Sequence, residues 1–233
     1  MNEQKLSLRL EKVASFIEPE SRIADIGSDH AYLPCFAVLK KLASFAVAGE
    51  IALGPLKSAE EQVEKTGLRE QIIVRKGDGL EVIQAEDQID TIVIAGMGGP
   101  LIASILEQGK SKLEGVKRLI LQPNIAANRI REWGVKNHFR ITAETILSED
   151  HKIYEILVLE PSEMALEYSE QELIFGPLLL QEKNQVFREK WRHEQEIWQK
   201  IIQNIENEGG DVAKQAKIAE LTAKIKLAED VLK

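Results

Sequence analysis

A single cysteine, Cys35, is all the thiol chemistry of this 233-residue chain, so no internal disulfide can form and a disulfide-stapled scaffold is excluded. The four histidines, His30, His138, His151 and His193, are too scattered for metal-ligand spacing, and no metal is expected. No apolar run approaches the roughly 18 residues of a membrane span, and the charged segment Met1 to Lys12 lacks a signal peptide's apolar core. A cytoplasmic location is the expectation. With 44% hydrophobic and 29% charged residues the composition is that of a folded soluble chain, which excludes disorder and collagen. The dinucleotide fingerprint G-x-G-x-x-G is also missing, because its second glycine would fall on Asp29, whose charge would repel a pyrophosphate. That counts against an oxidoreductase.

Positive charge is in deficit overall, with 30 lysines and arginines against 38 acidic residues and a net charge of −8. Between Gly109 and Arg140 the balance reverses, with eight basic residues against Glu114 and Glu132. This stretch, which includes Arg129 and Arg131, predicts a basic face, and Lys5, Arg9 and Lys12 at helical spacing predict a second one.

Up to about Glu160, short apolar runs alternate with helical stretches, the pattern of a parallel sheet covered by helices. Leu6, Leu10, Val13 and Ile17 predict a first helix. Strands are predicted over 22–26, 45–49, 72–75, 91–95 and 118–121. Pro55 and Gly67 bound one helix, and Pro100 opens another after Gly98 and Gly99. The segments 140–147 and 153–160 leave no room for a helix between them, which makes them a hairpin and one sheet edge antiparallel. The predicted division is an α/β domain over 1–160 and a helical hairpin over 161–233.

In the second part, Leu180, Phe187, Trp191, Trp198, Ile201 and Ile205 form one seam, interrupted by Asn184 and Glu194, and Ile218, Leu221, Ile225, Ala228 and Leu232 a second. The first reads as a helix of about 28 residues, roughly 40 Å long, projecting from the domain. Gly209 and Gly210 lie where an antiparallel reversal is needed. Ten basic and fourteen acidic residues follow from Pro161 onward, so an RNA role for this part would rest on a few side chains such as Arg188, Lys190 and Arg192.

The chemistry concentrates at predicted strand ends, where open α/β sheets bind ligands. An apolar strand runs into Asp25, turns at Gly27 and enters a helix through Ser28, Asp29, His30 and Ala31. Glu50, followed by Ile51, ends the second strand, where its carboxylate can accept from ribose hydroxyls. Asp78 sits between Gly77 and Gly79 after the third strand, able to receive an adenine amino group. Gly96, Met97, Gly98 and Gly99 form a glycine-rich exit from the fourth. One glycine turn is ordinary; four motifs in register at successive strand ends predict a nucleotide-like ligand with a cationic portion.

This order of motifs resembles the class I S-adenosylmethionine-dependent methyltransferases. The stretch 25–34 (DIGSDHAYLP), the turn 96–99 (GMGG) and Gln122-Pro123-Asn124, followed by a coiled-coil-like tail, resemble one family in particular, the bacterial tRNA (adenine-22-N1)-methyltransferases. The resemblance implies a Rossmann-like, seven-stranded sheet, mostly parallel with an antiparallel last strand, and a C-terminal antiparallel helical hairpin. It implies methyl transfer from S-adenosyl-L-methionine to N1 of an adenine in tRNA. It assigns Gly27, Glu50, Asp78 and the turn Gly96 to Gly98 to the cofactor, with Asp25, Asp29, His30, Ile51 and Gly79 as their neighbours in the pocket. Asp29 is the candidate catalytic carboxylate, with helix capping or cofactor binding as its other possible roles. Tyr32 is placed to stack on the base, and Gln122, Pro123 and Asn124 to meet the adenine edge unless Asn124 caps the following helix. Arg9, Arg129 and Arg131 are placed to contact tRNA. Asp29 and Ala31 stand where generic class members carry glycine. Two other readings fit the residues: a non-catalytic protein that binds S-adenosylmethionine or RNA, and a small-molecule methyltransferase. The chain is expected to be a monomer or a weak dimer through the hairpin.

Overall fold

Alternation of apolar runs with amphipathic stretches generates a single seven-stranded sheet in the computed structural model, which describes residues 2–207 and 212–233. The chain divides into two units between Tyr168 and Ser169. The first contains α1 (Leu8–Ala14), β1 (Ser21–Ile26), α2 (Tyr32–Leu39), β2 (Ala43–Glu50), α3 (Leu53–Thr66), β3 (Ile72–Lys76), β4 (Thr91–Met97), α4 (Gly99–Gln108), β5 (Arg118–Pro123), α5 (Asn128–Lys136), β6 (Phe139–Glu149) and β7 (Lys152–Pro161). Strand order is β3-β2-β1-β4-β5-β7-β6. The first five run parallel, and β7 is antiparallel to both β5 and β6. This is a Rossmann-like sheet with the antiparallel edge that the helix-free connection required. Asp150 and His151, with φ of 49° and 60°, make the tight turn between β6 and β7, where twist-matched two-residue loops need positive φ at both positions.

The central strands are buried on both faces, with Ile23, Ala24, Ile92, Val93, Ile94, Leu119, Ile120 and Leu121 fully covered. Gly67, at φ 71°, ends α3, and Gly98 with Pro100 opens α4. The first helix starts later than its apolar spacing suggests, because the Ser7 hydroxyl caps it by accepting the Leu10 N–H. The first unit extends past the expected boundary at Glu160. Ser162 N–H donates to His138 O at 2.7 Å and Ile141 N–H to the Tyr168 hydroxyl at 3.3 Å.

Arg131 overturns its assignment as an RNA contact. On α5 its side chain is 0% exposed, with Nε 2.8 Å from Glu144 Oε1 on β6 and a terminal nitrogen 2.6 Å from Glu155 Oε2 on β7. It clamps α5 to the hairpin. The basic face predicted around it is largely engaged as well. Lys112 donates to Ile83 O, Arg118 pairs with Glu18 and Glu160, Arg129 with Glu132, Lys136 with Glu107, and Arg140 with Glu160.

The second unit contains α6 (Glu170–Phe175), α7 (Leu179–Glu182), α8 (Gln185–Asn207) and α9 (Val212–Leu232). The expected 28-residue helix is interrupted. Lys183 takes φ 43° and the Asn184 side chain caps α8 by accepting the Phe187 N–H at 3.0 Å, so Leu180 lies outside it. Arg188 donates to Leu232 O and Gln195 to Ile225 O, a register that makes α8 and α9 antiparallel. The reversal expected at Gly209 and Gly210 lies outside the described residues. Trp191 is buried among Phe175, Phe187 and Trp198 at centroid distances of 4.5, 6.2 and 6.2 Å, as seam core. Lys190 lies over the Trp191 ring, so Arg188 and Lys190 brace this unit.

Arg131→Ala should leave two carboxylates buried without their cation and destabilise the protein by about 3–5 kcal/mol. Urea denaturation would measure it, and a loss below about 1 kcal/mol would show that the cluster relaxes or takes up protons cheaply.

Candidate active site

Three strand exits meet at the carboxyl edge of the sheet and enclose a cavity of about 390 Å³. Its walls come from α1 (Arg9, Leu10), the turn after β1 (Asp25, Gly27, Ser28, Asp29), the start of α2 (Tyr32, Leu33), the end of β2 (Glu50) and the end of β4 (Ala95, Gly96, Met97). Three carboxylates face one guanidinium there, which suits a ligand carrying positive charge and disfavours a polyphosphate.

The first turn is bound to the second strand. Gly27 and Ser28 N–H groups both donate to Gly49 O, at 2.9 and 3.0 Å. Gly27 takes φ 72°, a conformation that favours glycine, and a Cβ there would push the terminal methyl of Met97 aside. Asp29, His30 and Ala31 then take φ of 22°, 64° and 51°. Three successive residues thus occupy the left-handed region without glycine, at the two positions where the generic motif has it and at the residue between.

Asp25 is buried, and the Ser28 hydroxyl donates to its Oδ2 at 2.6 Å. Burial pushes its carboxyl up to about 6 from an ordinary 3.8, against the Ser28 hydrogen bond and with added repulsion from Glu50. Glu50 Oε1 accepts from the N–H groups of Ile51 and Ala52, at 2.9 and 3.1 Å, which orients the carboxylate and leaves Oε2 able to accept from a diol. Asp29 is at the mouth with its side chain 69% exposed, 3.5 Å from His30 Nε2. His30 is stacked on Tyr32, with centroids 5.4 Å apart and planes 16° from parallel.

Not every predicted residue reaches this cavity. Asp78 and Gly79 line a smaller cleft with Ile105, one residue past Gly77, whose N–H donates to Glu50 O at 3.1 Å. Ile51 is exposed and serves through its backbone. Gln122 is fully buried and does not present itself to a substrate. Its Oε1 accepts from Arg9 and from Gly96 N–H, and its Nε2 donates to Pro123 O and Asn124 Oδ1. Asn124 does not cap a helix: its Nδ2 donates to Gly96 O at 2.7 Å, and α5 starts after Ala127. Pro123 is buried at the end of β5.

Three contributors escaped the sequence reading. Ser28 had a signal, a hydroxyl three residues after a strand-end aspartate. Glu149 had none: from the end of β6 it accepts the Leu8 and Arg9 N–H groups and so fixes α1. Tyr154, whose ring lies 5.3 Å from the Arg9 guanidinium carbon, is equally remote in sequence.

A model of the tRNA (adenine(22)-N(1))-methyltransferase family matches residues 23–230. The chain belongs to this family. The tRNA (adenine(22)-N(1))-methyltransferase of Bacillus subtilis (strain 168) is 50% identical to it, over 100% of this chain and 99% of the relative. Among solved structures, a protein from Listeria monocytogenes serotype 4b is 60% identical with a TM-score of 0.95, covering 98% of this chain and 100% of that one. The family member from M. capricolum, solved with the cofactor product S-adenosyl-homocysteine, is 30% identical with a TM-score of 0.86, over 98% and 99% of the two chains. Family membership and the seven-stranded sheet agree with the likeness drawn from the strand-end motifs.

The Asp25 carboxyl is held above its unfolded value, so the fold favours its protonated form and loses stability as pH rises from about 4 through 6. Asp25→Asn should remove that loss, giving a stability difference between variant and parent that grows across this window by on the order of 3 kcal/mol. Thermal melts at pH 4.5 and 7 would show it; a difference independent of pH would refute the assignment.

Proposed function

We propose that the chain transfers a methyl group from S-adenosyl-L-methionine to N1 of adenine 22 in tRNA. The observation that carries this reading is the acid-lined cavity at three strand exits, in a chain of this family. The residues fit the cofactor: an oriented carboxylate for a ribose diol (Glu50), a buried carboxyl for an ammonium group (Asp25), and an apolar wall at Met97. Asp78 and Gly79, in the adjoining cleft, are assigned to the exocyclic amino group of the cofactor's adenine. When bound, the cofactor supplies an electrophilic methyl group on a sulfonium.

Adenine N1 carries a lone pair, so no base is needed to create the nucleophile. Alignment is the main task, and the ring gains positive charge as it is methylated. Asp29, at the mouth, stabilises that charge or accepts the N6 proton. The stacked pair His30 and Tyr32 offers an aromatic ledge to an extruded base. Arg9, fixed by Gln122, offers donors to the base edge. Arg129, on the surface of α5, remains the phosphate contact of the basic segment.

The left-handed backbone at Asp29 supports its role, because such strain persists at sites that use it. For the helical unit we assign a positioning role on tRNA. Ile197 and Ile201, exposed one turn apart on α8, make a patch far below the roughly 800 Å² per partner of a stable dimer, so the chain acts as a monomer or a weak dimer. Among the described residues no helix is long and apolar enough to cross a membrane. The reading places the enzyme with its tRNA, in the cytoplasm.

Incubation with methyl-labelled cofactor and tRNA, followed by nuclease digestion and mass spectrometry, should place N1-methyladenosine at position 22. Cofactor binding without transfer would overturn the reading. Glu50→Ala should weaken cofactor binding about ten-fold or more by calorimetry, through loss of a charged acceptor, and unchanged affinity in a folded variant would remove Glu50 from the site. Asp29→Asn tolerates the left-handed backbone and deletes the charge, so turnover should fall by about 10² with cofactor affinity nearly retained. Asp29→Gly should lose turnover equally and melt no lower than the parent, since glycine adopts φ 22° without a Cβ penalty. Retained turnover in Asp29→Asn would make this residue a cofactor ligand or a structural element.

A further inference from the structure

A base that swings out of a helical stem leaves a gap in the stack, and proteins that work this way frequently fill it with an apolar side chain. The segment between β5 and α5 presents one. Its backbone is bonded at each step to the exit turn of β4: Asn124 N–H donates to Met97 O at 2.7 Å, Asn124 Nδ2 to Gly96 O at 2.7 Å, and Gly99 N–H to Ile125 O at 2.9 Å. The approach is so close that a Cβ on Gly99 would collide with the Ala126 carbonyl oxygen, and Ala126 itself takes φ 54°. Backbone strain of this kind clusters at sites that use it. Here Ile125 is 69% exposed. Its branched Cβ leaves few rotamers, so it stands as a rigid apolar projection one residue from the Met97 hydrogen bond and beside the turn that walls the cavity.

One exposed isoleucine needs no explanation. Its setting does. Leu8, Ile51, Leu53 and Leu101 are 53–60% exposed and sit at the start of α1, just after β2, and in the first turns of α3 and α4. All belong to the same carboxyl edge of the sheet, so the edge that holds the acid-lined cavity carries an apolar rim. Phosphates gain nothing from such a rim, whereas the faces of unstacked bases do.

We propose that Ile125 is the wedge that enters the tRNA stack at the place adenine 22 vacates and holds that base in the cavity. This rests on the function proposed above. It predicts three behaviours for Ile125→Ala. With 2-aminopurine in place of adenine 22, the parent protein should raise its fluorescence on binding, and saturating Ile125→Ala should give a much smaller rise. On unmodified tRNA, kcat/KM should fall about tenfold, in keeping with the value of one base contact, while cofactor affinity and melting temperature stay unchanged. On tRNA with an abasic site opposite adenine 22, where no partner holds the base, the deficit should shrink to about twofold. Ile125→Met, which keeps an apolar side chain of similar volume, should restore most of the activity. An equal fluorescence rise with both proteins, or equal deficits on the two tRNAs, would overturn the wedge. Failure of the parent protein to methylate adenine 22 would instead overturn the function beneath it.

Discussion

The site depends on one side-chain amide with every polar atom in use. Gln122, at the end of β5, accepts from the Arg9 guanidinium and the Gly96 N–H and donates to Pro123 O and Asn124 Oδ1. It is fully buried, so loss of any partner leaves an orphaned polar group where water cannot replace it. Through it, the exit of β4, the exit of β5 and helix α1 are held in one arrangement. Glu149 accepts the first N–H groups of α1 from the far hairpin and fixes the backbone at the same end of that helix. Arg9 is therefore positioned by residues 113 and 140 places away, and the cation in the cavity is a product of tertiary structure alone.

The first turn shows a different economy. Generic members of the class place glycines there because the path into α2 needs positive φ. This chain follows the same path with Asp29, His30 and Ala31 and accepts the strain. What it gains is a carboxylate at the mouth and an imidazole stacked on Tyr32. The missing dinucleotide fingerprint is thus a substitution of side-chain chemistry for backbone ease, and the left-handed backbone survives the change.

Most of the architecture was legible because it rests on local rules. All seven strands fall within a few residues of their apolar runs, and the antiparallel edge follows from the length of the last connection. Asp25, Gly27, Glu50 and the Gly96 turn come together because successive parallel strands must end on one edge. What failed were inferences about charge and direction. Arg131 reads as basic surface by composition, yet its helix turns it inward onto Glu144 and Glu155, which are distant in sequence. Gln122 reads as a base-edge contact because it follows the apolar run of the strand, but β5 continues through it and its side chain is buried between the exits of β4 and β5. The helix beginning at Leu180 reads as continuous across the break in its seam at Asn184, because apolar spacing does not show that this side chain caps α8.

The fate of the basic residues bears on how RNA is selected. Of the eight cations between Gly109 and Arg140, six are paired with carboxylates or a backbone carbonyl, one of them wholly buried. Affinity from phosphate neutralisation grows with each cation released to the backbone of the nucleic acid, and pairing within the protein weakens that contribution. The cavity itself repels phosphate through Asp25, Asp29 and Glu50. A duplex laid against the carboxyl edge would thus be held weakly by charge and gain more by exposing base faces to the apolar rim and an edge to Arg9. On the function and wedge proposed above, recognition and extrusion of the base would be one event on this surface, and discrimination would fall on how readily a given tRNA yields its adenine.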